Sequence, residues 1–67
     1  MKNKVKILRE SRGLTQKELG EIVNVSRQAI NAIETGKYDP SIWLAYNLAK
    51  YFRLTIEELF QFEEEKQ

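Results

Sequence analysis

The stretch from Gln16 to Thr35, QKELGEIVNVSRQAINAIET, constrains the fold of this chain more than any other part. Its apolar residues recur with the period of two short amphipathic helices. Asn24 falls between the two, where a tight turn needs a residue that tolerates the left-handed conformation. Gly20 is small enough to let two helices cross closely. The stretch therefore predicts a helix-turn-helix whose shared core is formed by Leu19, Val23, Val25, Ile30 and Ile33.

Capping residues indicate where the helices begin. Thr15 and Glu18 have the spacing of a capping box, and Ser26 is placed to cap the next helix, predicted over 27–35. Ile22 is expected to face inward with the other apolar residues of the first helix of the motif. Further helices are predicted over about 4–12, 42–52 and 56–60. The fold class predicted is thus all-α, a compact five-helix bundle over 1–67 as a single domain, with a short two-stranded ribbon between the first residues and 61–63.

Composition excludes several classes of function. The chain has no cysteine and no histidine, so disulfides, thiolate metal sites and the commonest general base are absent. Its glutamate pairs are explained by helix caps and a solvated tail, so no catalytic residues, metal site or cofactor are predicted. No apolar run approaches the ~20 residues needed to span a bilayer. We therefore expect a cytoplasmic protein that is not an enzyme.

Charge is unevenly distributed along the chain. Residues 1–37 carry eight lysines and arginines against four glutamates, a net +4, whereas residues 38–67 carry three against six acidic residues, a net −3. Such asymmetry is compatible with one end facing a polyanion, although ordinary solvated charge explains many clusters of this size.

The outward side chains of the predicted 27–35 helix suit the recognition of base edges. A helix lying in a major groove about 12 Å wide reads bases with its first residues, arginine pairing well with guanine and glutamine or asparagine with adenine. Polar residues occur on any exposed helix face, but here they coincide with the capping box, the turn asparagine and the small glycine. The predicted base contacts are Arg27, Gln28, Asn31 and Ala32.

The segment LTQKELGEIVNVSRQAINAIETGKYDPS resembles the Xre/Cro type of helix-turn-helix transcriptional regulators, over residues 8–60. The resemblance is closest to short stand-alone members and implies a lambda-repressor-like fold. It also implies a homodimer on double-stranded DNA, an operator with two-fold symmetry and, most often, repression. It assigns base reading to the residues already named and an ion pair to Arg9 and Glu34. The phosphate contacts that it implies are Gln16, Lys17, Lys37 and Tyr38.

Position 53 departs from the family pattern. The residue that ends the fourth helix is often glycine in this family, and here it is Arg53. A left-handed conformation at this position would cost roughly 1–2 kcal/mol for a residue with a side chain.

Surplus apolar surface predicts self-association. Several large side chains fall off the Ala45, Leu48, Phe52 stripe of the fourth helix, so a monomer would leave some of them exposed unless the core is unusually generous. The alternative is an antitoxin-like interaction module whose exposed apolar face neutralises a partner protein. No small-molecule ligand is predicted. The expected dimer interface contains Trp43, Leu44, Tyr46, Tyr51 and Phe60.

Overall fold

Side-chain caps determine where four of the five helices begin. In this computed structural model, which describes residues 1–61, four hydroxyls each accept a hydrogen bond from the backbone N–H three residues later, those of Thr15, Ser26, Ser41 and Thr55. Such bonds satisfy amides that have no partner within the helix. The prediction of an all-α fold with five helices is confirmed: α1 (Val5–Ser11), α2 (Gln16–Val23), α3 (Arg27–Glu34), α4 (Ile42–Tyr51) and α5 (Ile56–Leu59).

The first four helices share one way of ending. Shortly after each helix the chain takes the left-handed conformation at one residue, and the next N–H donates to a carbonyl five residues back. The bonds from Val25 to Gly20 and from Leu54 to Ala49 are both 2.8 Å long. They satisfy carbonyls of the last helical turn and turn the chain sharply. The left-handed residues are Gly13, Asn24, Gly36 and Arg53.

Arg53 adopts the conformation that glycine occupies most easily. Its φ angle is 61°, within the left-handed region. A side chain there crowds the following carbonyl oxygen and costs roughly 1–2 kcal/mol. Arg53 therefore adopts the same left-handed turn that glycine would form at this position, and the cost is backbone strain.

The contact between α2 and α3 depends on Gly20. A Cβ atom at this position would lie 2.5 Å from the carbonyl oxygen of Val25 and 3.3 Å from the carbonyl carbon of Ser26. Both of those atoms are backbone atoms of the turn that joins the helices, so they have little freedom to move. The absence of a side chain at position 20 is what lets the turn fold back onto α2.

The five helices enclose one apolar core. The helices are short, seven to ten residues for α1 to α4, and helices of this length need tertiary packing to persist in water. Within the described residues, no helix has the length and apolar character that crossing a membrane requires. The buried apolar residues are Val5, Leu19, Val23, Ile30, Ile33, Leu44, Ala45, Leu48, Ala49, Phe52, Leu59 and Phe60.

Ile22, predicted to face inward, is 46% exposed, so that prediction was wrong. On α2 the core is reached by Leu19 and Val23, which lie one turn apart, and Ile22 lies about 100° around the helix from Val23. Val25, also placed in the shared core by the sequence, is only half-buried.

Two residues expected at a dimer interface lie in the core of the monomer instead. Leu44 is 9% exposed and Phe60 is 1% exposed. Leu44 precedes Leu48 by one helical turn and shares its inward face. Phe60 follows α5 in an extended conformation and is fully enclosed. Neither side chain is available to a second copy in this conformation, which corrects the sequence-based expectation.

The expected terminal ribbon is reduced to a single antiparallel bridge between Asn3 and Phe60. On either side of it, the N–H of Lys4 donates to Leu59 O at 3.0 Å and the N–H of Gln61 donates to Lys2 O at 2.9 Å. The rest of the predicted pairing, at residues 62 and 63, lies outside the described residues. These contacts attach the start of the chain to the end of α5.

The geometry at Gly20 yields a stability prediction. Gly20→Ala is expected to lower the free energy of unfolding by about 2 kcal/mol or more, because the added methyl group overlaps a backbone carbonyl. Urea unfolding followed by circular dichroism measures the change.

The control is Gly13→Ala, where an added Cβ meets nothing within 4 Å and only the positive φ is unfavourable. This variant is expected to lose about 1 kcal/mol. Equal losses for the two variants would contradict the role assigned to the close approach at Gly20.

Candidate nucleic-acid interface

Helix α3 has a buried side and an exposed side that are cleanly separated. Ile30 and Ile33 are fully buried. Ser26 caps the helix by accepting a hydrogen bond of 3.1 Å from the N–H of Ala29. The side chains predicted to contact bases are on the opposite side, three exposed and the last half-buried: Arg27, Gln28, Asn31 and Ala32.

The start of α2 lies beside the exposed side of α3. Lys17 is exposed and lines a shallow depression together with Glu21, Ser26 and Arg27. The depression brings a cation of α2 next to the first residue of α3. Lys17 of α2 and Arg27 of α3 therefore lie on one surface.

The loop after α3 folds back against the same helix. The N–H groups of Lys37 and Tyr38 both donate to Ala32 O, at 2.9 and 3.2 Å. Gly36, with a φ of 78°, provides the reversal of direction. The side chains of Lys37 and Tyr38 are exposed and start from backbone fixed to the last turns of α3. The surface thus carries the cations Lys17, Arg27 and Lys37 around the polar face of α3.

A buried ion pair holds α3 in place beneath this surface. Arg9 Nε donates to Glu34 Oε2 at 2.7 Å, and both side chains are at most 10% exposed. Arg9 also donates to Leu14 O at 2.7 Å, in the segment between α1 and α2. The hydrogen bond to Glu34 raises the pKa of Arg9, against the opposing effect of burial, so the guanidinium stays charged.

Gln16, predicted to contact a phosphate, takes part in this buried arrangement. Its Nε2 donates to Glu34 Oε1 at 3.0 Å, and the side chain is half-buried. Glu34 accepts from both Arg9 and Gln16, so the first residue of α2 is fixed to the last residue of α3. One hydrogen of the Gln16 amide and its oxygen remain for another partner.

Sequence reasoning missed Asn3. Its Nδ2 donates to Ile33 O at 3.0 Å, near the end of α3, and its Oδ1 accepts from the N–H of Val5 at 3.0 Å. An asparagine just before a helix is a recognisable capping signal. The contact with Ile33, thirty positions away, has no signature in the sequence.

Of the expected dimer-interface residues, two are exposed on α4. Trp43 is 74% exposed and Tyr46 is 48% exposed, and the neighbouring Ile42 is 66% exposed. Tyr51 is half-buried and packs edge-on against Phe52, with ring centres 5.1 Å apart. Three of the six large apolar side chains that are exposed within residues 1–61 therefore lie in the first half of α4.

The sequence of the chain is similar to those of known regulators. A family model described as helix-turn-helix matches residues 5–59. A protein of Methanocaldococcus jannaschii named an HTH-type transcriptional regulator is 50% identical over 66 residues, which are 98% of this chain and 100% of that protein. A Bacillus subtilis protein with the same type of name is 51% identical over 65 residues, 97% of this chain and 98% of its own length.

Two further similarities extend over only part of the other protein. An Enterococcus faecalis protein named a transcriptional activator is 41% identical over 61 residues, 91% of this chain and 30% of that protein. The clp gene regulator ClgR of Corynebacterium glutamicum has a similar structure, with a TM-score of 0.71 and 22% identity over 81% of this chain and 57% of its own. At 22% identity the similarity to ClgR concerns the fold alone.

The buried ion pair leads to a stability prediction. Glu34→Gln is expected to lower the free energy of unfolding by about 3 kcal/mol, because it leaves the buried Arg9 charge with only the exposed Glu10 carboxylate nearby. Urea unfolding measures the loss. The matched control is Glu10→Gln, whose carboxylate is 57% exposed and 3.9 Å from Arg9. A loss above about 0.5 kcal/mol in the control would contradict the distinction between the two glutamates.

Proposed function

The chain belongs to the helix-turn-helix family of transcriptional regulators, and we propose that it reads an operator of two-fold symmetry as a homodimer. In this proposal α3 lies in the major groove of double-stranded DNA. The observation that carries it is the division of α3 into a buried apolar side and an exposed side of Arg27, Gln28 and Asn31. The family consists of DNA-binding proteins that are not enzymes.

The dimensions of α3 suit direct reading of bases. With its side chains an α-helix is about 10–12 Å in diameter, which fits a major groove about 12 Å wide. Arg27 and Gln28 occupy its first turn, which approaches base edges most closely in this class of motif. We assign guanine contacts to Arg27 and adenine contacts to Gln28 and Asn31, with Ala32 against a thymine methyl group.

Contacts with phosphates would fix the position of α3 along the DNA. Lys17 is an exposed cation at the start of α2, Lys37 is an exposed cation in the loop after α3, and the next residue, Tyr38, is 49% exposed. We assign these three residues and Gln16 to the DNA backbone. Gln16 is suited to this role because Glu34 already fixes its side chain, so little rotational freedom is lost on binding.

Dimerisation is supported by the exposed face of α4. Ile42, Trp43 and Tyr46 form an apolar surface that is exposed in a monomer, with the Lys50 ammonium 5.9 Å from the centre of the Tyr46 ring. The domain measures 35 × 23 × 21 Å, so two touching copies can present their α3 helices about 34 Å apart, one turn of DNA. We propose Trp43 and Tyr46 as the centre of this contact.

We further propose that the protein represses transcription in the cytoplasm, by occupying DNA that other proteins need. The similarity to the Enterococcus faecalis protein named an activator includes 30% of that protein, so its name does not bear on the sign of regulation by this chain.

Two substitutions separate base reading from phosphate binding. Arg27→Ala is expected to lose about 1–3 kcal/mol of discrimination at one base position of each half-site, because only its side chain reads that base. Lys37→Ala is expected to weaken binding to all sequences alike and to lower the slope of log K against log salt by about one per copy. Selection of bound DNA from a random pool gives the operator, and fluorescence anisotropy at several salt concentrations gives the affinities.

Glu57→Ala serves as a control, because this exposed residue of α5 is not assigned to DNA. An unchanged base preference in Arg27→Ala would show that α3 is not the reading helix. A loss of base preference in Lys37→Ala would show that the loop does more than bind phosphate.

The dimer contact is tested by light scattering on the purified protein without DNA. Trp43→Glu is expected to convert a dimer into a monomer, because a charge cannot be buried in an apolar contact without a counter-charge. Ile7→Glu is the control, since Ile7 is 69% exposed, close to the 74% of Trp43, but lies on α1. A monomeric parent protein, or a Trp43→Glu variant that remains dimeric, would contradict the proposed interface.

A further inference from the structure

A groove of about 630 Å³ lies where the last turns of α1, α2 and α4 meet. Three features of the chain that the DNA-binding proposal does not use meet in this groove. They are the exposed aliphatic side chain of Ile22, the strained conformation of Arg53, and a group of cations that pair with no acidic residue within residues 1–61. The residues on which the argument depends are Arg12, Ile22, Lys50, Tyr51 and Arg53.

The groove is positively charged. Arg12, Lys50 and Arg53 line it, and no carboxylate is among its lining residues. None of the ion pairs found in residues 1–61 involves these three side chains. The Arg12 guanidinium carbon lies 5.1 Å from the centre of the Tyr51 ring, which holds that cation at the groove. Its charge therefore remains available to an anion.

The groove also has an apolar part. Ile22 is 46% exposed, although the other large aliphatic residues of α2 are buried. Tyr51 is half-buried and contributes the face of an aromatic ring. A ligand that matches the groove must therefore combine negative charge with an apolar group.

Arg53 occupies its position at a conformational cost. Its φ of 61° lies in the region where glycine would be more stable. Residues in such conformations are often found where their side chains are used. The strain thus agrees with a role for the Arg53 side chain in the groove.

The groove is separate from the proposed DNA contacts. None of the residues assigned to bases or phosphates lines it. On α2, Lys17 and Glu21 face the depression beside Arg27, whereas Ile22 lies about 100° further around the helix. A ligand in the groove and DNA along α3 would therefore use different sides of α2.

We propose that this groove docks an acidic segment of a partner protein, with an apolar side chain on Ile22 and Tyr51 and carboxylates on the three cations. A DNA backbone would satisfy the cations but would offer no apolar group to cover Ile22. A second copy bound symmetrically about the groove would bring the same three cations together, which is repulsive. The proposal does not depend on the DNA-binding role of α3.

The test uses nuclear magnetic resonance of the full chain labelled with ¹⁵N. The probe is a synthetic peptide of glutamates with two leucines one helical turn apart. We expect its addition at micromolar to millimolar concentrations to shift the amide signals of Arg12, Ile22, Lys50 and Arg53, with an affinity that decreases as salt rises. A peptide in which alanine replaces both leucines is expected to bind more weakly, because it lacks the apolar contact.

Two substitutions test the residues involved. Lys50→Ala is expected to weaken the peptide about threefold, as the loss of an exposed charge pair does. Arg53→Gly is expected to weaken it similarly while raising the thermal midpoint by about 4–8 °C, because strain is removed. Loss of binding in a more stable protein cannot be attributed to unfolding. Lys37→Ala is the matched control for Lys50→Ala and should leave peptide binding unchanged.

Three results would overturn the proposal. The first is the absence of shifts at millimolar peptide, and the second is a set of shifts centred on Arg27 and Lys37, which would mean that the peptide only imitates DNA. The third is a loss of operator affinity in Lys50→Ala as large as that in Lys37→Ala, which would make the groove part of the phosphate contact. Shifts confined to the groove, with operator affinity unchanged in Lys50→Ala, support it.

Discussion

The buried pair of Arg9 and Glu34 is the interaction on which the arrangement of the first three helices depends. Through hydrogen bonds of 2.7–3.2 Å it connects α1, the segment at Leu14, the start of α2 at Gln16 and the end of α3. Charges removed from water stabilise a fold only when their hydrogen-bonding groups are satisfied, and within the described residues no buried side-chain polar atom lacks a partner. The network therefore fixes the position and the orientation of α3 relative to α1 and α2.

Local chemistry explains why most of the fold was predictable. Caps such as Thr15 and Ser26 and the left-handed residue Asn24 act within a few positions of sequence, so they identify helix starts and turns without tertiary information. The misplaced residues were those whose environment is decided by distant contacts. Ile22 fits a helical stripe but stays half exposed, and Phe60 is buried although it lies in an extended segment that helical periodicity cannot describe.

The two candidate sites differ in the same way: one could be predicted from local sequence and the other could not. The polar face of α3 follows from helical spacing, so its exposed residues were predicted from sequence. The groove next to Arg53 depends on three helix ends meeting, and the contact from Asn3 to Ile33 joins positions thirty residues apart. Neither has a local pattern. Helix α2 is only eight residues long, yet one of its sides packs against α3 and another lines the groove.

The separation of the two sides of α3 has a consequence for how such proteins diverge. Ile30 and Ile33 hold the helix, whereas Arg27, Gln28 and Asn31 make no contribution to the core. Exchanges among the latter change stability little, as is usual for exposed positions. Under the proposed function, new operator preferences can therefore arise by single substitutions that leave the scaffold intact. A duplicated copy of this gene could acquire a different target without first acquiring a more stable fold.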